Sequence, residues 1–409
     1  MKILFADKFQ QQYLGEIERL GHDYALRPEL KGGDLPAEIG GYDALIVRST
    51  PVTRETVEAG DRLSLIVRAG AGTNTIDKQA AADRGICVCN VPGKNAIAVA
   101  ELTLGLILAL DRNIPDNVID LRRGQWNKKR YSEAEGLQGR TIGVVGAGEI
   151  GLAVAERAHA FGLAVHALHK PDRRPDAQAR LAAVHTTYVA SLPELAERCD
   201  ILTFHVPAGP DTRGLIGREL LARVKPGAVI INTARGEIVD EAALIEAMDE
   251  KGVRAGLDVY ADEPAAGQGE FRAAIAHHPN VYGTHHIGAS TEQAQNAIAA
   301  EVVRVLEAFD AGSVLHCVNL ETRALGAFTL SVRHYDKVGV LAQVFDVLRN
   351  ANINVEQMQN QIFAGGHAAC ATMQVSGPVT SDVVAQLESI EDVISLSVKE
   401  RQTQGEEAR

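Results

Sequence analysis

Three side chains have types and settings suited to moving a proton and a hydride together: Arg235, Glu263 and His286. Taking hydride from an alcohol carbon requires a base for the hydroxyl proton. Histidine serves near neutrality, and a carboxylate partner orients it and favours its protonated form. Glu263 and His286 can form that pair. Arginine holds a carboxylate through two parallel hydrogen bonds, a task open to Arg235. The neighbouring His285 and His286 raise the question of a metal. Adjacent strand side chains face opposite ways, so the two would not share an ion, and no metal is expected.

Upstream lies a glycine loop, Gly146-Ala147-Gly148-Glu149-Ile150-Gly151, after an apolar run and before a helical pattern. In that context Gly146 allows the tight turn, Gly148 lets backbone approach a pyrophosphate, and Gly151 permits close helix–strand packing. The free N–H groups of the helix start then face the phosphates. An acidic residue for the ribose 2′-hydroxyl is expected about 20 residues on, after the next strand. His169 stands there instead, followed by Lys170, Arg173 and Arg174, with Asp172 the nearest carboxylate. The cofactor is therefore NAD or NADP: the cations suit a 2′-phosphate, while Asp172 could fold back to a bare ribose.

These groups need a frame. Ile3–Ala6, Ala44–Val47, Leu65–Val67 and Ile86–Val88 read as buried parallel strands, apolar without strict alternation. A second series follows at Thr141–Val145, Leu163–Leu168, Ile201–His205, Ala228–Asn232 and Arg254–Leu257, with Asn280–Gly288 ending a further strand. The expected fold is α/β, with two doubly wound, Rossmann-like parallel-sheet domains. Ala96–Leu110, with Asn95 as N-cap, and a helix opening with Thr291 and Glu292 and running to Phe309 should link the halves. The expected divisions are a substrate domain of residues 1–98 completed by 288–320, a dinucleotide domain of 99–287, and the active site in the cleft between them. Residues 325–400 read as a C-terminal ferredoxin-like βαββαβ module, with a hairpin around Ala364-Gly365-Gly366. Residues 401–409 read as a loose tail.

Composition bounds the rest. The chain has 409 residues, 46% hydrophobic and 23% charged, with a formal charge of -12. That charge argues against broad affinity for nucleic acid or anionic membrane, and it requires an anion-binding enzyme to gather its cations locally. Five scattered cysteines fit a reducing cytoplasm rather than a disulfide framework. The N-terminus lacks signal-peptide anatomy, and no run is long enough to span a membrane. Arg48 and Arg68 each follow a strand of the first domain, Lys94 precedes the linking helix, and Lys128-Lys129-Arg130 follows Trp126.

The segments NTARGEIVDEAAL, GLDVYADEP and THHIGAS resemble the signatures of the D-2-hydroxyacid dehydrogenase family, and the resemblance runs over residues 1 to about 320. It implies that Arg235 binds substrate, that Glu263 partners the histidine, that His286 is the acid/base and that Asp258 meets the nicotinamide carboxamide. It further implies cofactor contacts at Glu149, Ile150, Val206, Pro207, Thr233, Ala234 and Gly288. VRSTPVT, VRAGAGTNTID and NVPGKNAIAVAEL resemble substrate-domain segments, which implies substrate contacts at Arg48, Arg68, Ala69, Gly70, Asn95 and Lys128. The C-terminal module looks like an ACT domain, implying an amino-acid effector, serine first, near His334, Asp336 and Asn354. A homodimer or homotetramer is implied. The leading substrate is 3-phosphoglycerate. The alternatives are an NADP-dependent reductase of glyoxylate or hydroxypyruvate, and a catalytically dead nucleotide-sensing protein.

Overall fold

The computed structural model describes residues 1–264, 269–321 and 326–401. Its first sheet comprises β1 (Lys2–Phe5), β2 (Asp23–Leu26), β3 (Ala44–Val47), β4 (Leu65–Arg68) and β5 (Cys87–Cys89), all parallel, in the order β2-β1-β3-β4-β5. The second comprises β6 (Thr141–Val145), β7 (Ala164–Leu168), β8 (Thr187–Val189), β9 (Ile201–Phe204), β10 (Val229–Asn232), β11 (Arg254–Leu257) and β12 (Val281–Gly283), also parallel, in the order β12-β11-β10-β9-β6-β7-β8. In each sheet the strand order reverses beside a central strand, and at such a switch point the carboxyl-end loops open a crevice.

The central strands are apolar because both of their faces are covered. Ile3, Phe5, Ile46 and Val67 pack on one side of the first sheet, while Leu4, Leu45 and Ile66 pack on the other. Sequence reading missed β2 and β8. Both are edge strands, β2 with exposed or half-buried residues throughout and β8 with only Val189 buried, so neither carries the continuous apolar run of a covered strand.

Helix Ala96–Arg112 lays Ala100, Leu104, Ile107 and Leu110 against the second sheet. Asn95 is its N-cap by position, but its side chain makes no capping bond. Helix Glu292–Asp310 returns to the first sheet through Ile298, Val302, Val305 and Leu306. Thr291 is its cap rather than part of its first turn, with the hydroxyl accepting from the Ala294 N–H at 3.1 Å. Among the described residues no helix is long and apolar enough to cross a membrane.

The chain divides into two compact units, Met1–Asn319 and Leu320–Arg409. The second holds β13 (Phe328–Tyr335), β14 (Asn354–Ile362), β15 (Ala368–Ser376) and β16 (Val393–Glu400), antiparallel in the order β14-β15-β13-β16, with helices Val340–Asn350 and Ser381–Glu388 on one face. Gly365 and Gly366 adopt φ of 98° and 70° in the β14–β15 turn, a conformation open to glycine at little cost. The expected module start at residue 325 and most of the expected tail, 402–409, lie outside the described residues.

Candidate active site

Gly146 follows the end of β6, with φ of 99°, and a Cβ there would stand 2.4 Å from the His205 carbonyl oxygen. Val206 lies on the same turn, 3.0 Å from that position. Gly151 faces the Gly146 carbonyl so closely that a Cβ would stand 1.9 Å from it. Gly148, by contrast, has open space where a side chain would lie. Helix Glu149–Ala160 makes its first backbone bond from Leu152 N–H to Gly148 C=O at 2.9 Å. The N–H groups before Leu152 are therefore left to a ligand or water. An open glycine under a helix N-terminus fits a dinucleotide pyrophosphate, held by backbone from Gly148 to Gly151.

After β7 the expected cations take separate positions. An Arg173 Nη2–H donates to the Leu168 carbonyl at 2.6 Å, against the strand end. Arg174 is committed to Glu149 and Asp176, at 2.9 and 3.1 Å. The His169 ring stands edge-on to Tyr188, with centroids 6.2 Å apart. Lys170 and Asp172 are exposed and make no side-chain hydrogen bond or ion pair among the described residues. Glu149 offers its backbone N–H to the loop, while its carboxylate serves Arg174 and Arg180.

β10 runs into Thr233, Ala234 and Arg235. Asn232, fully buried, straps this turn: its carboxamide oxygen accepts from Ala234 N–H at 3.0 Å and its Nδ2 donates to Arg235 C=O at 2.8 Å. Thr103 of helix Ala96–Arg112 lies 3.1 Å from Thr233, hydroxyl to hydroxyl. Arg235 Nη1 donates to the Ala234 carbonyl at 2.6 Å, and Nη2 would stand 2.3 Å from a Cβ at Gly72. A side chain at position 72 would displace the Arg235 guanidinium from its present place.

Arg68 joins the group from β4, its Nε donating to the Arg48 carbonyl at 3.1 Å. Burial, then the charges of Arg235 and Arg48, push its guanidinium down to about 10. Among the described residues, none of the three arginines forms an ion pair with a carboxylate. The nearby Asp7 spends one oxygen on the N–H groups of Arg48, Ser49 and Thr50, at 2.7 to 3.1 Å. Ala69 and Gly70 continue from Arg68, and Gly70 C=O accepts from Val91 N–H at 2.9 Å. Two expected partners stand apart. Lys128 is exposed and makes no side-chain bond, while its neighbour Arg130 pairs with Asp116 and Asp120. Lys94 is held at 2.9 Å by Glu301, a buried carboxylate also serving Arg304 and His316.

His286 lies past β12, in a turn rather than on a strand, with a left-handed φ of 51°. Its N–H donates to the Asp258 carbonyl at 2.8 Å. The Asp258 carboxylate, 1% exposed, gathers the same turn by accepting from Thr284 Oγ1, Ile287 N–H and Gly288 N–H at 2.6 to 2.9 Å. His286 Nδ1 meets Glu263 Oε2 at 2.7 Å, which leaves Nε2 open. Burial alone would raise the Glu263 carboxyl, but the bonds from His286 and the Tyr260 N–H, with the nearby Arg235 charge, hold it below the usual range. Sequence reading missed Asp7, Gly72 and Thr103, whose partners come from other strands or loops, and it missed Asn232, whose bonds to Ala234 and Arg235 are local but carry no distinctive residue pattern.

In the second unit His334 is buried. Nδ1 lies 2.8 Å from the Tyr335 carbonyl and Nε2 lies 3.3 Å from Asn360 Oδ1. Asp336 is exposed in the following loop. Asn354 is elsewhere: it pairs with Ser376, whereas Ile362 is the β14 residue in register with His334 through Ala369. That separates them by about 25 Å at ~3.3 Å per strand residue. Asn354 instead lines a cavity of about 620 Å³ with Phe345, Arg349, Asn352 and Ser376.

The loops at the carboxyl ends of the two sheets thus carry a phosphate-binding turn, a group of arginines without a carboxylate ion pair among the described residues, and a carboxylate–histidine pair. This is the class of nicotinamide-dependent α/β oxidoreductases. Residues 104–288 match the NAD-binding domain of the D-isomer specific 2-hydroxyacid dehydrogenases, and residues 330–395 match the AHAS small subunit-like ACT domain. A D-3-phosphoglycerate dehydrogenase of Methanocaldococcus jannaschii is 38% identical over 353 residues, covering 85% of this chain. The chain spans 65% of that relative's length. A hydroxypyruvate reductase of Thermotoga maritima is 41% identical over 276 residues, covering 67% of this chain and 87% of its own. Among solved structures, an NADPH-dependent glyoxylate/hydroxypyruvate reductase of Sinorhizobium meliloti superposes with a TM-score of 0.67 at 29% identity, over 78% of this chain and 97% of that one. The chain belongs to the D-isomer specific 2-hydroxyacid dehydrogenase family.

Proposed function

We propose that the protein oxidises 3-phosphoglycerate to 3-phosphohydroxypyruvate, with His286 as acid/base, Glu263 as its partner and Arg235 on the substrate carboxylate. The observation that carries this reading is the group of Arg48, Arg68 and Arg235, none of which forms an ion pair with a carboxylate among the described residues, with Asp7 and Glu263 acting on them only from nearby. One carboxylate needs one arginine fork, and two further guanidiniums suit a second anionic group such as a phosphate. Bound at the glycine loop, a nicotinamide dinucleotide supplies the hydride acceptor. His286 Nε2 takes the hydroxyl proton, and ionised Glu263 stabilises the imidazolium that results. Replacing Arg48 or Arg68 by Ala tests the assignment: kcat/KM should fall at least tenfold more for 3-phosphoglycerate than for unphosphorylated glycerate. Equal losses would remove the phosphate from the reading.

The cofactor reading is dual use of NAD and NADP. Arg173 at the end of β7 and Lys170, which has no ion pair among the described residues, favour a 2′-phosphate, and the residue that follows this strand is His169 rather than a carboxylate. His169→Asp should shift preference toward NADH. A wild-type preference for NADH above about a hundredfold, ~2.7 kcal/mol at ~1.36 per decade, would contradict dual use. Helix Ile114–Arg122 exposes Ile114, Val118, Ile119 and Leu121, with Trp126 just beyond, which supports a homodimer through this surface. An effector site using His334 and Asp336 with Asn354 then requires two modules, since one module keeps them apart. Serine is the first candidate effector.

A further inference from the structure

Cys87 and Cys89 are alternate residues of β5 and share one face of the strand. After helix Glu292–Asp310 the chain lays its return segment against β5 in antiparallel sense, with Cys89 opposite Cys317. Asn90 N–H donates to His316 C=O at 3.1 Å, and Val318 N–H donates to Val88 C=O at 2.8 Å. These bonds bracket the cysteine pair rather than join it. It is therefore a non-hydrogen-bonded pair, the kind with Cα atoms ~4.5 Å apart and side chains closest. That separation lies within the disulfide range of ~4.4–6.8 Å. Cys87 is the diagonal neighbour: its thiol also faces Cys317, but its Cα lies at ~7–8 Å by sheet geometry, beyond the practical limit for a disulfide.

The two partners differ in access. Cys89 is fully buried, and burial followed by the neighbouring Cys317 and Cys87 pushes its thiol up to about 12. Cys317 is half-buried, its Sγ 3.2 Å from Asn319 Oδ1. A small oxidant reaches Cys317 first, and Cys89 is placed to resolve the product.

We propose that Cys317 and Cys89 form a reversible disulfide on exposure to a peroxide, clipping the return segment to β5. The Cys317 thiolate attacks a peroxide oxygen, giving the sulfenic acid and hydroxide. Cys89 sulfur then attacks the sulfenic sulfur, the S–S bond forms, the second hydroxide leaves and the thiol protons end in two waters. The two thiols lose two electrons and the peroxide gains them, and a dithiol reductant reverses the change. The clip sits next to the substrate-side loop, because Asn90 Nδ2 donates to Ala71 C=O at 2.7 Å and Val91 N–H to Gly70 C=O.

The test is full-length protein treated with a few equivalents of hydrogen peroxide, alkylated and digested with trypsin. Peptide Gly85–Lys94 should appear linked to Val305–Arg323, and dithiothreitol should release it. Fragment ions of the wild-type link assign its sulfur to Cys89 or Cys87 without any substitution. Cys87→Ser should keep the link, while Cys89→Ala and Cys317→Ser should abolish it. Absence of the linked peptide while Cys317 is oxidised further, or fragment ions placing the bond on Cys87, would overturn the proposal.

Discussion

His286 is held by two kinds of interaction, and they fail differently. Its ring depends on Glu263, whereas its left-handed backbone depends on Asp258, which anchors the whole turn through its carbonyl and carboxylate. His286→Ala should lower kcat by ~10²–10⁴-fold with cofactor affinity retained, read by steady-state kinetics and dinucleotide titration. Glu263→Gln should cost less, since an amide oxygen still accepts from Nδ1. Asp258→Ala should reduce both kcat and Tm, because it strands three donors and releases a strained residue, each unsatisfied group costing about 1–3 kcal/mol. Unchanged Tm would show that the turn holds without it. Arg235, Glu263 and His286 were legible because each sits in a recognisable segment. The anchoring role of Asp258 was not, because Thr284, Ile287 and Gly288 reach it only through the register of β11 with β12.

At the scale of elements, the glycine loop and the central strands were legible from short-range pattern alone. The edge strands β2 and β8 were not, because edge position removes the apolar signal. The ion cluster joining Lys94 to helix Glu292–Asp310 was also hidden, since its members come from distant segments. There, burial would raise the Glu301 carboxyl, but hydrogen bonds from His316 and Lys94 outweigh it and bring it to about 2. A folded-state pKa below the unfolded ~4.3 adds stability above pH ~4.3 that is lost as pH falls toward 2. Denaturant unfolding at pH 7 and pH 3 should show this loss in wild type, and Glu301→Gln should be less stable at pH 7 with a flatter acid limb. An identical acid limb in the variant would assign the pH dependence to other carboxylates.

Across the whole molecule the formal charge is -12, yet Arg48, Arg68 and Arg235 form no ion pair with a carboxylate among the described residues, and that contrast carries the proposed substrate. The chain divides at Asn319–Leu320, and the residues proposed for catalysis all lie in the first unit. A chain ending at Asn319 should keep its turnover and lose any response to serine, and loss of turnover would tie catalysis to the second unit. The central claim is tested most directly by comparing kcat/KM of the wild-type enzyme for D-3-phosphoglycerate and D-glycerate with a saturating dinucleotide. The account predicts a preference for the phosphorylated acid of about a hundredfold or more, ~2.7 kcal/mol of transition-state binding. Equal values, or faster turnover of glycerate, would contradict it.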